Sequence, residues 1–181
     1  MKQSGVLVVF AVSVLAGLLL ALRLNKPTVQ GESLGGGDWG GLTVLTLKHF
    51  QPWEFRTWFA DMSPELLTKL DKFRELWGQP VAISSHADGL GRHLGSSDTS
   101  QHNVDKWGEV RAVDVFPQGL NAQTKAFAIQ CAKRAGFTGY GLYSDTSPGW
   151  MMHLDVRSDR SAVNPATWAR VGGNYVGIEV V

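Results

Sequence analysis

The sequence predicts an α+β domain, a small and largely antiparallel sheet with flanking helices, behind an N-terminal transmembrane helix. Three observations predict it. Residues 5–22, GVLVVFAVSVLAGLLLAL, carry no charge, and a glycine-rich stretch follows them. Beyond that stretch, two runs of helical periodicity alternate with short β-rich runs, which is the pattern of an α+β domain.

The apolar run comes first. At ~1.5 Å per helical residue it nearly spans a hydrocarbon core of ~30 Å. Lys2 precedes it and Arg23 and Lys26 follow it, so flanking charge does not set its orientation. A cleaved signal peptide is the competing reading, but the Leu-Arg-Leu-Asn-Lys that comes next lacks a small-x-small cleavage pattern, which favours residues 1–23 as an uncleaved membrane anchor. Pro27, Gly31 and the triplet Gly35 to Gly37 oppose helix and strand alike, so residues 24–41 read as a flexible linker. One folded domain then covers 42–181.

Within it, LTVLTL at 42–47 alternates like a short strand. Ser63-Pro64-Glu65 opens a helix, with serine as the cap and proline in the first turn. Leu66, Leu67, Leu70, Phe73, Leu76 and Trp77 line its apolar face, and Gly78 ends it. VAISS (81–85) reads as a buried strand, and the polar, glycine-containing stretch 86–99 as a surface loop. VRAVDVF (110–116) is a second strand. Residues 121–135 have helical spacing closed by Gly136, and FTGYGLYS and WMMHLDVR form two more strands. Trp53, Phe55, Trp58 and Phe59 are expected in the core.

Composition narrows the function. Seven Trp and eight Phe let one core form without staples. Lys plus Arg number 17 against 16 Asp plus Glu, so no basic field exists to neutralise phosphates and a nucleic-acid partner is excluded. Cys131 is the only cysteine and reads as an apolar filler.

The chemistry sits in three places. Ser100-Gln101-His102 precedes a strand carrying Asp114, and His153 lies in the strand-like Met151-Met152-His153-Leu154-Asp155. Alternation puts His153 and Asp155 on one side of their strand. Two imidazoles and a carboxylate suit zinc with one coordination position left open, although a strand histidine can equally be hydrogen-bonded and a strand aspartate can cap or pair. His49, His86 and His93 lack ligand spacing and read as surface or hydrogen-bonding residues. Trp107 and Trp150 adjoin proposed site residues and read as cleft-lining.

The order SQH, then GEVRAVDV, then HLDVR, preceded by LDKFRELWGQPVAISS, resembles the D-alanyl-D-alanine carboxypeptidase and L,D-endopeptidase group of zinc peptidases, which includes phage endolysins. The resemblance runs from about Leu47 through the last residues. It implies one zinc ion per chain on the sheet, held by His102, Asp114 and His153. The implied reaction is hydrolysis of an amide bond in peptidoglycan stem peptides, as a carboxypeptidase or an endopeptidase. It also implies a domain on the periplasmic or extracellular, cell-wall side of the membrane, in phage lysis or entry or in bacterial wall remodelling.

Three departures bear on the roles. The family places its aspartate seven residues after the first histidine, whereas here the gap is twelve, which requires a five-residue insertion around NVDKW and makes Asp105 a rival to Asp114. A loop absorbs such an insertion at small cost. Trp150 stands where relatives carry an acidic general base. Asp155 and Asp145 are the available substitutes, Asp155 first, although Asp155 could instead orient a ligand histidine and Asp145 could cap a turn. Ser85-His86-Ala87-Asp88 replaces the relatives' Ser-Gly-Tyr-Arg, leaving Arg92 either to grip a substrate carboxylate or to be a solvated loop residue. Substrate contacts are expected from Arg92, Ser100, Gln101 and Trp150. Loss of the usual acid and arginine supports the alternative of an inactive zinc-containing module that binds wall peptides or a protein.

Overall fold

In the computed structural model, residues 45–181 are described. The expected transmembrane helix and the linker lie outside them, and among the described residues no helix is long and apolar enough to cross a membrane. Leu47–Val181 forms one compact unit.

Six strands form one sheet: β1 (Val81–Ile83), β2 (Ala112–Pro117), β3 (Gly139–Tyr143), β4 (Met151–Asp155), β5 (Ala166–Val171) and β6 (Asn174–Val176). Their order is β1-β2-β4-β3-β5-β6, antiparallel throughout except for the parallel pair β3 and β5. The fold is α+β with a mostly antiparallel sheet, as the sequence predicts.

Alternation divides the sheet's faces. Val113, Val115, Tyr140, Leu142, Met152 and Leu154 are buried on one face. With them, helices α1 (Pro64–Trp77) and α3 (Lys125–Ala135) complete the core through Leu66, Leu70, Phe73, Ala128 and Ala132. Each fully buried Leu or Phe side chain contributes roughly 1.5–3 kcal/mol. α1 and α3 pack against each other, with Phe73 edge-on to Phe137 and Trp77 stacked on Phe127. Cys131 is a buried, unpaired thiol on α3. The opposite face of the sheet carries Asp114, Gly141, His153 and Asp155.

Several local expectations change. Leu45, Thr46 and Leu47 form no strand, because the next amides, Lys48 N and His49 N, donate to the Asp71 carboxylate instead of to a ladder. Ser63 stands at the N-cap of α1 but makes no side-chain cap bond, and its amide donates to Val110 O. The inserted residues are not an open loop. Val104–Trp107 is a one-turn helix, α2, capped by the Asn103 side chain and ended by Gly108 at φ 70°. α3 begins at Lys125 because Asn121 and Thr124 turn the chain ahead of it through side-chain bonds. Strands β5 and β6 have no counterpart among the predicted elements.

Before α1, Pro52–Asp61 is a 3-10 segment kinked at Arg56, a non-glycine residue at φ 55°. The Arg56 guanidinium donates to the carbonyls of Ser84, Ser85 and His86, holding the loop after β1 from below. Those bonds support a backbone conformation that costs on the order of 1–3 kcal/mol. Of the aromatics expected in the core here, Phe55 is fully buried, Trp58 and Phe59 are half-buried and Trp53 is exposed.

Candidate metal centre

Sheet register creates the site. β2 and β4 run antiparallel with Asp114 directly opposite His153, so both side chains leave the same face as neighbours. His102 arrives from the loop that crosses this face. Its segment is held on both sides by backbone bonds, Arg92 N to His102 O, Val104 N to Arg92 O, and Arg111 N to Gln101 O. The Ser100 hydroxyl accepts from the His102 amide.

His102, Asp114 and His153 converge, each offering one donor atom. His102 Nε2 lies 3.2 Å from His153 Nδ1, and Asp114 Oδ1 lies 3.0 Å from His153 Nδ1 and 3.5 Å from His102 Nε2. Tetrahedral zinc with ligand bonds of ~2.0–2.1 Å separates its ligand atoms by ~3.3 Å, so the trio fits the ion in atom type and spacing.

Both histidines are held with the correct nitrogen inward. Nδ1 of His102 meets the Leu90 carbonyl at 2.5 Å, which fixes the proton there and leaves Nε2 as a lone pair. Nε2 of His153 meets Asp155 Oδ2 at 2.9 Å, leaving Nδ1 for the centre. Asp155 is fully buried and bound by the Arg157 guanidinium through Nε and Nη2.

Electrostatics follow from these contacts. Burial opposes charge on Asp114, but the His102 and His153 rings against it outweigh burial and hold the carboxyl well below its usual range. Asp155 behaves alike, burial being overcome by His153 and Arg157. Burial depresses His102, whereas in His153 the Asp114 and Asp155 carboxylates overcome burial and raise the pKa to about 9.

The support around His153 depends on two glycines. A Cβ on Gly139 would lie 2.2 Å from Asp155 Oδ1, and one on Gly141 would lie 2.3 Å from Trp168 Nε1. Glycine in the middle of β3 therefore admits the Asp155 carboxylate and the Trp168 indole, whose ring centroid is 5.1 Å from that of His153.

The centre opens into a cleft of about 700 Å³. A sequence model of the Peptidase M15 family matches residues 47–155, more than half of the chain. The chain belongs to the Peptidase M15 family. These are zinc peptidases, and they include D-alanyl-D-alanine carboxypeptidases and endolysins. Among curated proteins and among solved structures, none matches the chain.

The other residues expected in an M15 site are dispersed. Ser100, Gln101 and Arg92 line the cleft. Gln101 is buried, and its Oε1 has no hydrogen-bond partner among the described residues. Arg92 Nε donates to Asp88 O. Trp150 does not line the cleft, since alternation along β4 turns it away from Met151 and His153. Trp107 is also outside the lining, its indole donating to Ser100 O beneath the Arg111 guanidinium. Asp105 is drawn off by the His93 ring at 2.7 Å and the Gly95 amide at 2.8 Å, so it does not join the trio.

Neither expected base faces the centre. Asp145 accepts from Gly173 N at 2.6 Å and sits 3.5 Å from Arg170, tying the β3–β4 connection to the β5–β6 turn. Asp155 is engaged by His153 Nε2 and Arg157, while it is His153 Nδ1 that meets Asp114. Sequence reasoning misses Trp168, Tyr143, Arg157 and Arg56, although two glycines spaced by one residue in GYGLY signal a close approach. His86, read as a surface or hydrogen-bonding residue, is exposed and accepts from the Asp88 amide, and it lines the cleft together with Asp88.

Proposed function

We propose that this M15 protein is a zinc-dependent hydrolase of amide bonds in peptidoglycan stem peptides, acting on the wall side of a membrane to which residues 5–22 tether it. The observation that carries the reading is the converged trio His102, Asp114 and His153, with both ring nitrogens pre-set, inside a cleft large enough for a peptide. Zinc held by these residues supplies Lewis acidity that polarises a carbonyl and brings the pKa of water toward neutrality. Leu90 and Asp155 fix the imidazole tautomers, and the Gln101 Oε1 acceptor is satisfied by a substrate N–H. Proton transfer falls to His86 and Asp88, whose Nδ1 and Oδ2 atoms lie 3.8 Å apart on the cleft. His86 Nδ1 accepts from the Asp88 amide, so the neutral ring carries its proton on Nε2 and supplies it to the departing amine, while the Asp88 carboxylate takes the proton that the nucleophilic water loses.

Membrane attachment agrees with a substrate outside the cytoplasmic membrane, and phage lysis or entry and bacterial wall remodelling both provide such a setting. The engagement of Asp145 and Asp155 supports a second reading, a zinc-binding module that holds wall peptides without cutting them. Digestion of purified peptidoglycan, with products identified by mass spectrometry, separates the two. Zinc-loaded protein should release amide-hydrolysis products, chelator should abolish them, and His86→Ala and Asp88→Asn should each slow release at unchanged zinc content. A zinc-loaded, folded protein that retains wall peptides and releases nothing selects the binding module.

A further inference from the structure

The far wall of the cleft draws two of its residues, Arg170 and Tyr175, from beyond the family match, which ends at Asp155. β5 runs parallel to β3 with Tyr143 beside Arg170, and β6 places Tyr175 opposite Arg170. Tyr143, Arg170 and Tyr175 all line the cleft. The two tyrosine rings meet edge to face at 6.1 Å, and Tyr175 remains 68% exposed, a large aromatic surface with little covering it.

Arg170 is held but not neutralised. Its Nε lies 3.5 Å from Asp145, whose same oxygen also accepts from Gly173 N, and its Nη atoms have no partner among the described residues. Tyr143 lies 5.9 Å beneath the guanidinium. The other cleft cations differ. Arg157 is paired with the Asp155 carboxylate through Nε and Nη2, and Arg92, its Nε bound to a backbone carbonyl, has no aromatic ring against its guanidinium among the described residues as Arg170 has in Tyr143. A guanidinium with its two outer nitrogens open, backed by an aromatic ring, is shaped to take a planar carboxylate through paired hydrogen bonds.

We propose that Arg170, with Tyr143 and Tyr175 as its wall, is a specificity-determining subsite that receives a free carboxylate of the peptide substrate. The inference rests on the reading of the cleft as a wall-peptide site and adds a selectivity for anionic peptides. Its position in β5 lies outside the segment that defines the family.

The test uses the pentapeptide L-Ala-D-Glu-L-Lys-D-Ala-D-Ala and an analogue with every carboxyl converted to carboxamide. Binding to the full chain in chelator is followed by calorimetry, and kcat/KM is measured with zinc. Wild type should prefer the free acid by roughly tenfold or more, the usual effect of a hydrogen bond to a charged group. Arg170→Gln should erase that preference while leaving affinity for the amidated peptide within about twofold, and Arg170→Lys should keep part of it. A preference that survives in Arg170→Gln, or an equal loss on both peptides, overturns the subsite and leaves the hydrolase reading standing. A wild type that neither binds nor cleaves either peptide overturns the wall-peptide reading, and this inference with it.

Discussion

Each ligand histidine has two nitrogens, and the site depends on which one turns inward. The Leu90 carbonyl and the Asp155 carboxylate settle this by occupying the outward nitrogen of His102 and His153. Asp155 is thereby a positioning residue for His153, and Arg157 holds it in turn. Among the carboxylates, Asp114 and Asp105 are the decisive pair. Asp114→Ala should remove zinc binding and turnover, since the trio loses its only anionic oxygen. Asp105→Ala should retain both, because its partners are His93 and Gly95 on the loop above. Metal analysis and peptide turnover on folded variants make the comparison, and a zinc-free Asp105→Ala beside a normal Asp114→Ala would overturn the assignment. The ligand trio was legible because SQH, AVD and HLD each carry a donor in a recognisable order. The direction of Asp155 was not, since alternation specifies a strand face and not the ring atom that a carboxylate meets.

Strand pairing, not chain proximity, assembles the centre. β2 and β4 place Asp114 against His153 across 39 residues of sequence, and β3 supplies room through Gly139 and Gly141. Gly141→Ala tests that packing. Its Cβ would overlap the Trp168 indole, so either the strand or the ring must move, at a cost of roughly 1–3 kcal/mol. A lower melting temperature with weaker zinc binding is expected. Wild-type values for both would show that Trp168 does not help to hold His153. The insertion around NVDKW follows the same logic. Its residues wind into one helical turn between the Asn103 cap and Gly108, which returns the chain to β2 with Asp114 in register. Sequence marked the extra residues but not their helix, because a single turn leaves no periodicity to read.

For the whole domain, the three ligand side chains couple metal, protons and stability. Without metal, His153 has a folded pKa of about 9, above the ordinary 6.5, so its contribution is complete below about pH 6.5 and is lost as pH rises through 9. His102 is depressed, so its neutral form costs stability as pH falls below 6.5. Asp114 is depressed too, and its contribution is present above about pH 4 and lost on acidification below that. Thermal melts in chelator should therefore peak near pH 6.5. The increment added by zinc should grow from pH 6 to 9, because zinc must displace the proton on His153. An increment flat across that range would contradict a protonated His153 in the metal-free domain. Sequence by itself determined the fold class, the helix from Pro64 to Trp77, the family and the three residues that converge. All of these rest on local periodicity or on ordered motifs, which a linear chain displays directly. Only the tertiary structure decided that Asp155 and Asp145 are engaged in support, that His86 and Asp88 face the cleft, and that β5 and β6 bring Arg170 to it. Those facts depend on which long-range partner reaches a side chain first, a competition between contacts that neither spacing nor composition encodes.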